Sequence, residues 1–353
     1  MSHRHSGSIL RAALVIASAG PVPAAAQVPG PRPPRPWTVP RTPDGHPDLQ
    51  GNWTNATITP IERPAGQERA LSKEEVAKLE KIRADTIERL GQASDPNRPA
   101  PPKGGDGSVG AAGGVGGYNY FWIDAGDRVA VVNGEHRSSL IVDPPNGRIP
   151  PLTPEARARM GELGKRLGQF GPYDNPENRP LAERCIMSFG SNAGPPMLPN
   201  YFYNNNYTIV QTMDHVMILT EMVHDVRIIR MGGERLPKQL RPWMGDSKGR
   251  WEGDTLVVET TNLHPLQGWR GNTDSTRVTE RFTRVDESTI LYRFTVEDPT
   301  TYTQPWSGEV PFKALNELVY EYACHEGNYA LSNVLSGARA QEREAAKARP
   351  QQR

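Results

Sequence analysis

The sequence predicts a mainly β protein, an antiparallel meander β-barrel with two or three peripheral helices. Three observations carry that expectation. From Tyr207 onward the chain is a succession of short runs rich in Val, Ile, Thr, Tyr and Phe. The connections Asp214-His215, Glu252-Gly253-Asp254 and Asp286-Glu287-Ser288 are far too short for the crossover that a parallel pair needs. No helical period interrupts these runs, and many short strands without intervening helices close into a barrel or stack as a sandwich.

Composition narrows the functional classes. Lys+Arg number 41 and Asp+Glu 40, a net charge of +1. Such balance lacks the basic stripe expected of a nucleic-acid or anionic-membrane partner, so the expected partner is a small molecule. Residues 1–26 read as a secretory signal: His3, Arg4, His5 and Arg11 precede a short apolar stretch, Ala12 to Ala19, and Ala24-Ala25-Ala26 supplies small residues for cleavage. The alternative is a disordered cytoplasmic tail. No later run approaches the roughly 20 apolar residues of a membrane-spanning helix. The expected location is periplasmic or secreted, in a bacterium. There, Cys185 and Cys324 are readily a disulfide closing a very long loop, the alternative being two buried free thiols.

Residues 27–47 are proline-rich and predict an extended tether, followed by one β-barrel domain over 48–353. Gly51-x-Trp53 opens that domain as lipocalin-like barrels commonly open, with an indole closing one end and a glycine bending the chain beside it. A helix is expected over 72–90, where Ser72 and Glu75 form a capping box and Val76, Leu79, Ile82 and Leu90 recur at helical spacing. The Gly-rich stretch ending at Gly117 is a loop and lacks the Lys-Ser/Thr ending of a phosphate cradle. Tyr118–Ile123, Arg128–Val132 and Ser139–Val142 predict strands. A second helix, over 153–168, starts at Thr153-Pro154 and carries Ala156, Met160, Leu163 and Leu167 on one face. The second half predicts strands at Tyr207–Gln211, Val216–Glu221, Val226–Arg230, Thr255–Thr261, Arg277–Val285, Thr289–Val296, Trp306–Phe312 and Val319–Tyr322, then a polar helix from about Ser332 to Ala348.

The segments DGHPDLQGNW, PNYFYNNNYTIVQ, EMVHDVRII, RWEGDTLVVETTN and YEYACHEGNY resemble a largely uncharacterised family of exported bacterial proteins. The resemblance spans nearly the whole mature chain and implies export. It assigns no activity to individual residues. Calycin or lipocalin-like architecture is inferred from the strand pattern and Gly51-x-Trp53.

Three constellations carry candidate chemistry. The first is Glu221, His224, Asp225 and Arg227. Alternation on a strand puts Glu221, Asp225 and Arg227 on one face and His224 on the other, unless a bulge re-aims the imidazole and makes it a general base. The plain alternative is a histidine at a strand bend, held by a carbonyl. The second is Asn262, His264, Trp269, Arg270 and Asp274 in a strand-exit loop, where binding residues gather, or a turn stabilised by Asn262 and Pro265. The third is Tyr320, Glu321, Tyr322, Cys324, His325 and Glu326, where Tyr320 and Tyr322 share an aromatic face and a disulfide at Cys324 would hold His325 rigid as a catalytic group. The plain alternative there is a cystine that anchors the last strand, with His325 capping the segment after it. Tyr203 and Asn205 add a ring and an amide for substrate.

The resulting expectation is an enzyme using metal-independent general acid–base chemistry (lyase, isomerase, hydratase or hydrolase) in a barrel cavity, without cofactor. His224 and His264 carry protons, Asp225 orients, Arg227 and Arg270 hold a developing oxyanion, and Tyr203, Asn205, Glu221, Trp269 and Tyr320 contact substrate. No HxH, HExxH or Cys/His spacing supports a metal. A carrier for a small amphipathic ligand and a structural envelope module with a filled barrel are the alternatives.

Overall fold

The computed structural model describes residues 37–91, 97, 99–100, 102, 123–188, 194–199, 204–267 and 273–348. The expected signal sequence, most of the expected tether and most of the strand expected at Tyr118–Ile123 lie outside these residues, as do Tyr203, Trp269 and Arg270. The described residues from Thr38 onward belong to one unit.

Among the described residues twelve strands and three α-helices run in this order: β1 (Gly51–Thr54), α1 (Lys73–Leu90), β2 (Val131–Val132), β3 (Glu135–His136), β4 (Ile141–Asp143), α2 (Pro154–Leu167), β5 (Asn206–Gln211), β6 (His215–Thr220), β7 (Val226–Arg230), β8 (Asp246–Glu252), β9 (Thr255–Thr261), β10 (Arg277–Asp286), β11 (Thr289–Glu297), β12 (Trp306–Ala314) and α3 (Ala330–Ala348). β1 and β5 through β12 form a closed nine-stranded barrel, as the strand pattern predicts. Closure runs through β12, whose C-terminal end pairs with β1 (Trp53 opposite Ala314) while its start takes β4 (Ser307 opposite Asp143). The backbone of an open edge needs partners, and closure supplies them.

All barrel neighbours are antiparallel except β7 and β8, which run parallel over Ile229–Ser247 and Arg230–Lys248. The 231–245 connection makes that reversal, and Asp246 receives Arg230 Nη2 at 2.6 Å and Arg235 at 3.8 Å beside it. Strand β8 is hidden in the sequence because its inward positions include Ser247 and Gly249 in place of apolar side chains. Conversely, Val319–Tyr322 forms no strand. β12 has already met β1, so the wall offers no edge to a further strand.

The lumen is packed with rings. Trp53, Tyr207, Phe282, Tyr292, Phe294, Trp306 and Phe312 are each at most 2% exposed. Tyr207 stacks on Phe312 with centroids 5.2 Å apart, Phe282 lies 4.9 Å from Tyr292, and Phe294 meets Trp306 edge-on at 5.5 Å. Gly308 of β12 must lack a side chain, because a Cβ would strike the Phe294 ring. At the end where β10 turns into β11, the Trp53 indole donates to Leu49 O (3.0 Å), and the Arg284 guanidinium lies 5.5 Å over its ring. Arg284 also donates to the carbonyls of Asp48 and Glu287, tying the strand-free entry segment to that hairpin.

Both helices begin where their caps dictate. Ser72 accepts from Glu75 N while Glu75 accepts from Ser72 N, and Thr153 accepts from Ala156 N. α1 buries only Val76, against Leu71 and Val129, so it is a satellite on the outside of the barrel.

One charged pair is sealed inside the rings. Arg227 (2% exposed) donates to both oxygens of Glu280 (0%) at 2.6 and 2.9 Å, and Tyr292 OH donates to the same carboxylate at 2.8 Å. Burial, then the Glu280 charge, pushes the Tyr292 phenol well above its ordinary range, so it stays a donor. Removing one member of a buried pair leaves the other charged and unpartnered. Arg227→Met or Glu280→Gln alone is therefore expected to cost about 3–5 kcal/mol, and the double replacement less than the sum of the two. Urea unfolding of the four proteins checks this; additive losses would show that the pair does not act as a unit.

Candidate functional site

Between β6 and β7 the chain reads Glu221-Met222-Val223-His224-Asp225, and its geometry arises from two apolar residues needing the interior. Met222 and Val223 are buried to 0% and 1%. Burying both within one tight turn forces consecutive left-handed residues, Val223 at φ 58° and His224 at φ 49°. A β-branched residue there is strained, and such strain persists only where surrounding contacts over-determine it. Glu221 and Asp225 are buried and His224 is exposed, as strand alternation places them, and the turn departs from alternation in burying Met222 as well.

Each polar group in the turn is held by a different segment. Glu221 Oε2 accepts from Asn206 Nδ2 (2.8 Å) and Oε1 from Tyr320 N (3.3 Å). Asp225 Oδ2 accepts from the Ser188 amide at 2.9 Å. Burial pushes the Asp225 carboxyl up to about 6, against the opposing pull of the Ser188 amide and His224. His224 Nδ1 lies 3.0 Å from Tyr322 O. A carbonyl only accepts, so Nδ1 carries the proton and the neutral ring keeps its lone pair on Nε2. The His325 ring centroid is 5.8 Å from that of His224.

The expected disulfide is present: Cys185 and Cys324 are bonded, 139 residues apart in sequence. It joins the segment that supplies the Ser188 amide to the segment that supplies Tyr322 O and His325. Asn328 Nδ2 donates to Cys185 Sγ on the same cross-link. Residues 315–329 contain neither strand nor helix, so the cystine is the covalent anchor that keeps this stretch on the turn.

The other sequence candidates are placed elsewhere. Arg227 is committed to Glu280 in the lumen and holds no oxyanion beside His224. His264 sits at the exit of β9, its ring 3.8 Å from that of Trp243, and its Nδ1 accepts from Leu266 N at 3.1 Å. Burial, then Arg241, lowers its pKa. Among the described residues no hydrogen bond or ring contact joins it to His224. Asn205 is fully buried and donates to Asp124 O, a structural role. The Tyr320 side chain is exposed, and only its backbone touches Glu221. Sequence reasoning places His325 with the cystine and misses its meeting with His224, because a contact between residues so far apart leaves no local pattern. Among the described residues no three His, Cys, Asp or Glu side chains converge to hold a metal.

The cluster therefore joins an outward imidazole with a defined tautomer, a second imidazole and a carboxyl that titrates near neutrality, on a strained turn. Perturbed titratable groups and backbone strain together mark functional sites more often than either alone. Comparisons with known proteins add no relative: no family, curated protein or solved structure matches the chain.

The carboxyl and the cystine each give a measurable outcome. A carboxyl raised from 3.8 to about 6 in the fold contributes stability that is complete below about pH 4 and is lost as pH rises through 6. Asp225→Asn keeps a neutral acceptor for Ser188 without ionising, so its stability relative to the parent should grow between about pH 4 and pH 8, by at most about 3 kcal/mol. Thermal melts across that range check the sign, and a flat difference would refute it. Replacing Cys185 and Cys324 together by Ser should lower stability by about 2–5 kcal/mol and speed amide exchange at Ser188 and in the 320–328 segment first. Exchange that quickens uniformly would show that the bond does not anchor the turn.

Proposed function

We propose that this protein is an exported enzyme that moves protons without a metal at the β6–β7 turn. His224 acts as the base through Nε2, and His325 is the opposing proton carrier, in the place that sequence alone gives to His264. The Asp225 carboxyl, next to His224 in the chain, is held by the Ser188 amide and orients the turn. The observation that carries this reading is the pair of imidazoles 5.8 Å apart on a turn with two left-handed residues, one of them valine. Backbone strain of this kind clusters at active sites, where surrounding contacts hold it. The signal-like N-terminus and the disulfide support export, and the segments that resemble exported bacterial proteins point to the same compartment.

The filled lumen favours a second reading, an envelope module whose barrel is only a scaffold. Rings occupy the space in which a lipocalin-like carrier would keep its ligand, so carriage through the lumen is the least supported of the three functions.

Turnover of a panel of small esters, lactones and β-hydroxy carbonyl compounds separates the first two. His224→Asn and His325→Asn should each lower kcat by about 10²–10⁴-fold while leaving the melting temperature unchanged. Turnover that survives in both variants, or a parent protein inert across the panel, would favour the scaffold.

A further inference from the structure

The barrel leaves the apolar stripe of α2 partly open. Ala156 is fully buried, but Met160 and Leu163 on the same face are 41% and 38% exposed. That stripe is one wall of a groove of about 1080 Å³. The opposite wall belongs to the connection between β9 and β10, where Pro265 and Leu266 face it and Leu266 is 56% exposed. A helix that presents its apolar face to a groove has an incomplete hydrophobic contact, and a groove of this size holds an acyl chain or a drug-sized molecule.

The polar lining has one sign in excess. Arg159, Lys165 and Arg166 of α2 and Arg241 across the groove stand against Glu162 and Asp274, four cations to two carboxylates. Lys165 neutralises Glu162 at 2.7 Å, and Arg241 neutralises Asp274 at 2.5 Å. Arg159 is occupied in donating to Thr301 Oγ1 and Thr300 O. Arg166 is exposed and makes no ion pair among the described residues. In a chain whose overall charge is only +1, this is a local excess beside apolar side chains.

We propose that this groove binds a fatty-acid anion, with the chain against Met160, Leu163 and Leu266 and the carboxylate toward Arg166. The charge excess selects the anionic head, and the open stripe selects an unbranched apolar tail. The site is independent of the β6–β7 turn, and neither reading depends on the other.

The test uses the full chain, with dodecanoate, dodecyltrimethylammonium and dodecanol each titrated below micelle formation. Calorimetry gives affinity, and the Met160 methyl resonance reports the place. Dodecanoate should bind, shift that methyl, and bind at least about tenfold more tightly than the cationic surfactant of equal length. Leu163→Asp, at an exposed position, should weaken dodecanoate about tenfold or more, and Arg166→Glu about threefold or more, with melting temperatures unchanged. Equal affinity for the two head charges, binding without a Met160 shift, binding indifferent to Leu163→Asp, or no dodecanoate binding at all would each overturn the proposal.

Discussion

The structure depends on the meeting of β12 with β1. That pairing joins the last barrel strand to the first, although more than 250 residues separate them in sequence. Once it forms, no barrel strand has an open edge, and the alternate residues of nine strands are committed to one interior. Among the described residues, aromatic side chains line that interior around the Arg227–Glu280 pair. Everything with freedom to act is therefore displaced to the connections at the end where β6, β9 and β11 finish.

At that end the connections differ in character. The 298–303 stretch is pinned by Asp298, whose carboxylate accepts from the hydroxyls of Thr273, Thr276, Thr300 and Thr301. Burial pulls its pKa upward, and those bonds together outweigh burial and hold it below the ordinary carboxylate value. The β6–β7 turn is held differently, against the strain in its own backbone, by partners drawn from three other segments. Asp298 and Asp225 are both buried acids, yet they are shifted in opposite directions. Four hydroxyls can donate to Asp298, whereas Asp225 has the Ser188 amide against a larger cost of burial. That contrast makes Asp298 a staple and leaves Asp225 able to change charge near neutral pH.

Much of the wall is legible because strands carry their own signature. Val278, Glu280 and Phe282 alternate inward on β10, as Ile290, Tyr292, Phe294 and Val296 do on β11, and the two-residue period announces them. Ser72 and Thr153 announce their helices by the same local logic. β8 escapes notice because small and polar residues fill its inward positions. Val319–Tyr322 misleads because propensity says nothing about whether an edge remains to be joined. Glu221, His224 and Asp225 are recognisable as a group, and alternation puts the imidazole opposite the two carboxyls, but it cannot say that the chain passes there through two left-handed residues. That depends on Met222 and Val223 both being buried, a decision of packing.

By itself the sequence determined the strand periods, the short hairpins, the helix caps and, if its two cysteines were to pair, which two would do so. Each of these rests on residues close in the chain or on a choice with a single solution. Only the tertiary structure decided that Arg227 would face Glu280 and not a substrate. It alone set His325 beside His224 and left His264 against Trp243. Those outcomes depend on which loops converge when the barrel closes, and convergence is fixed by the stagger of the strands and the space left by the core. No stretch of neighbouring residues encodes that information.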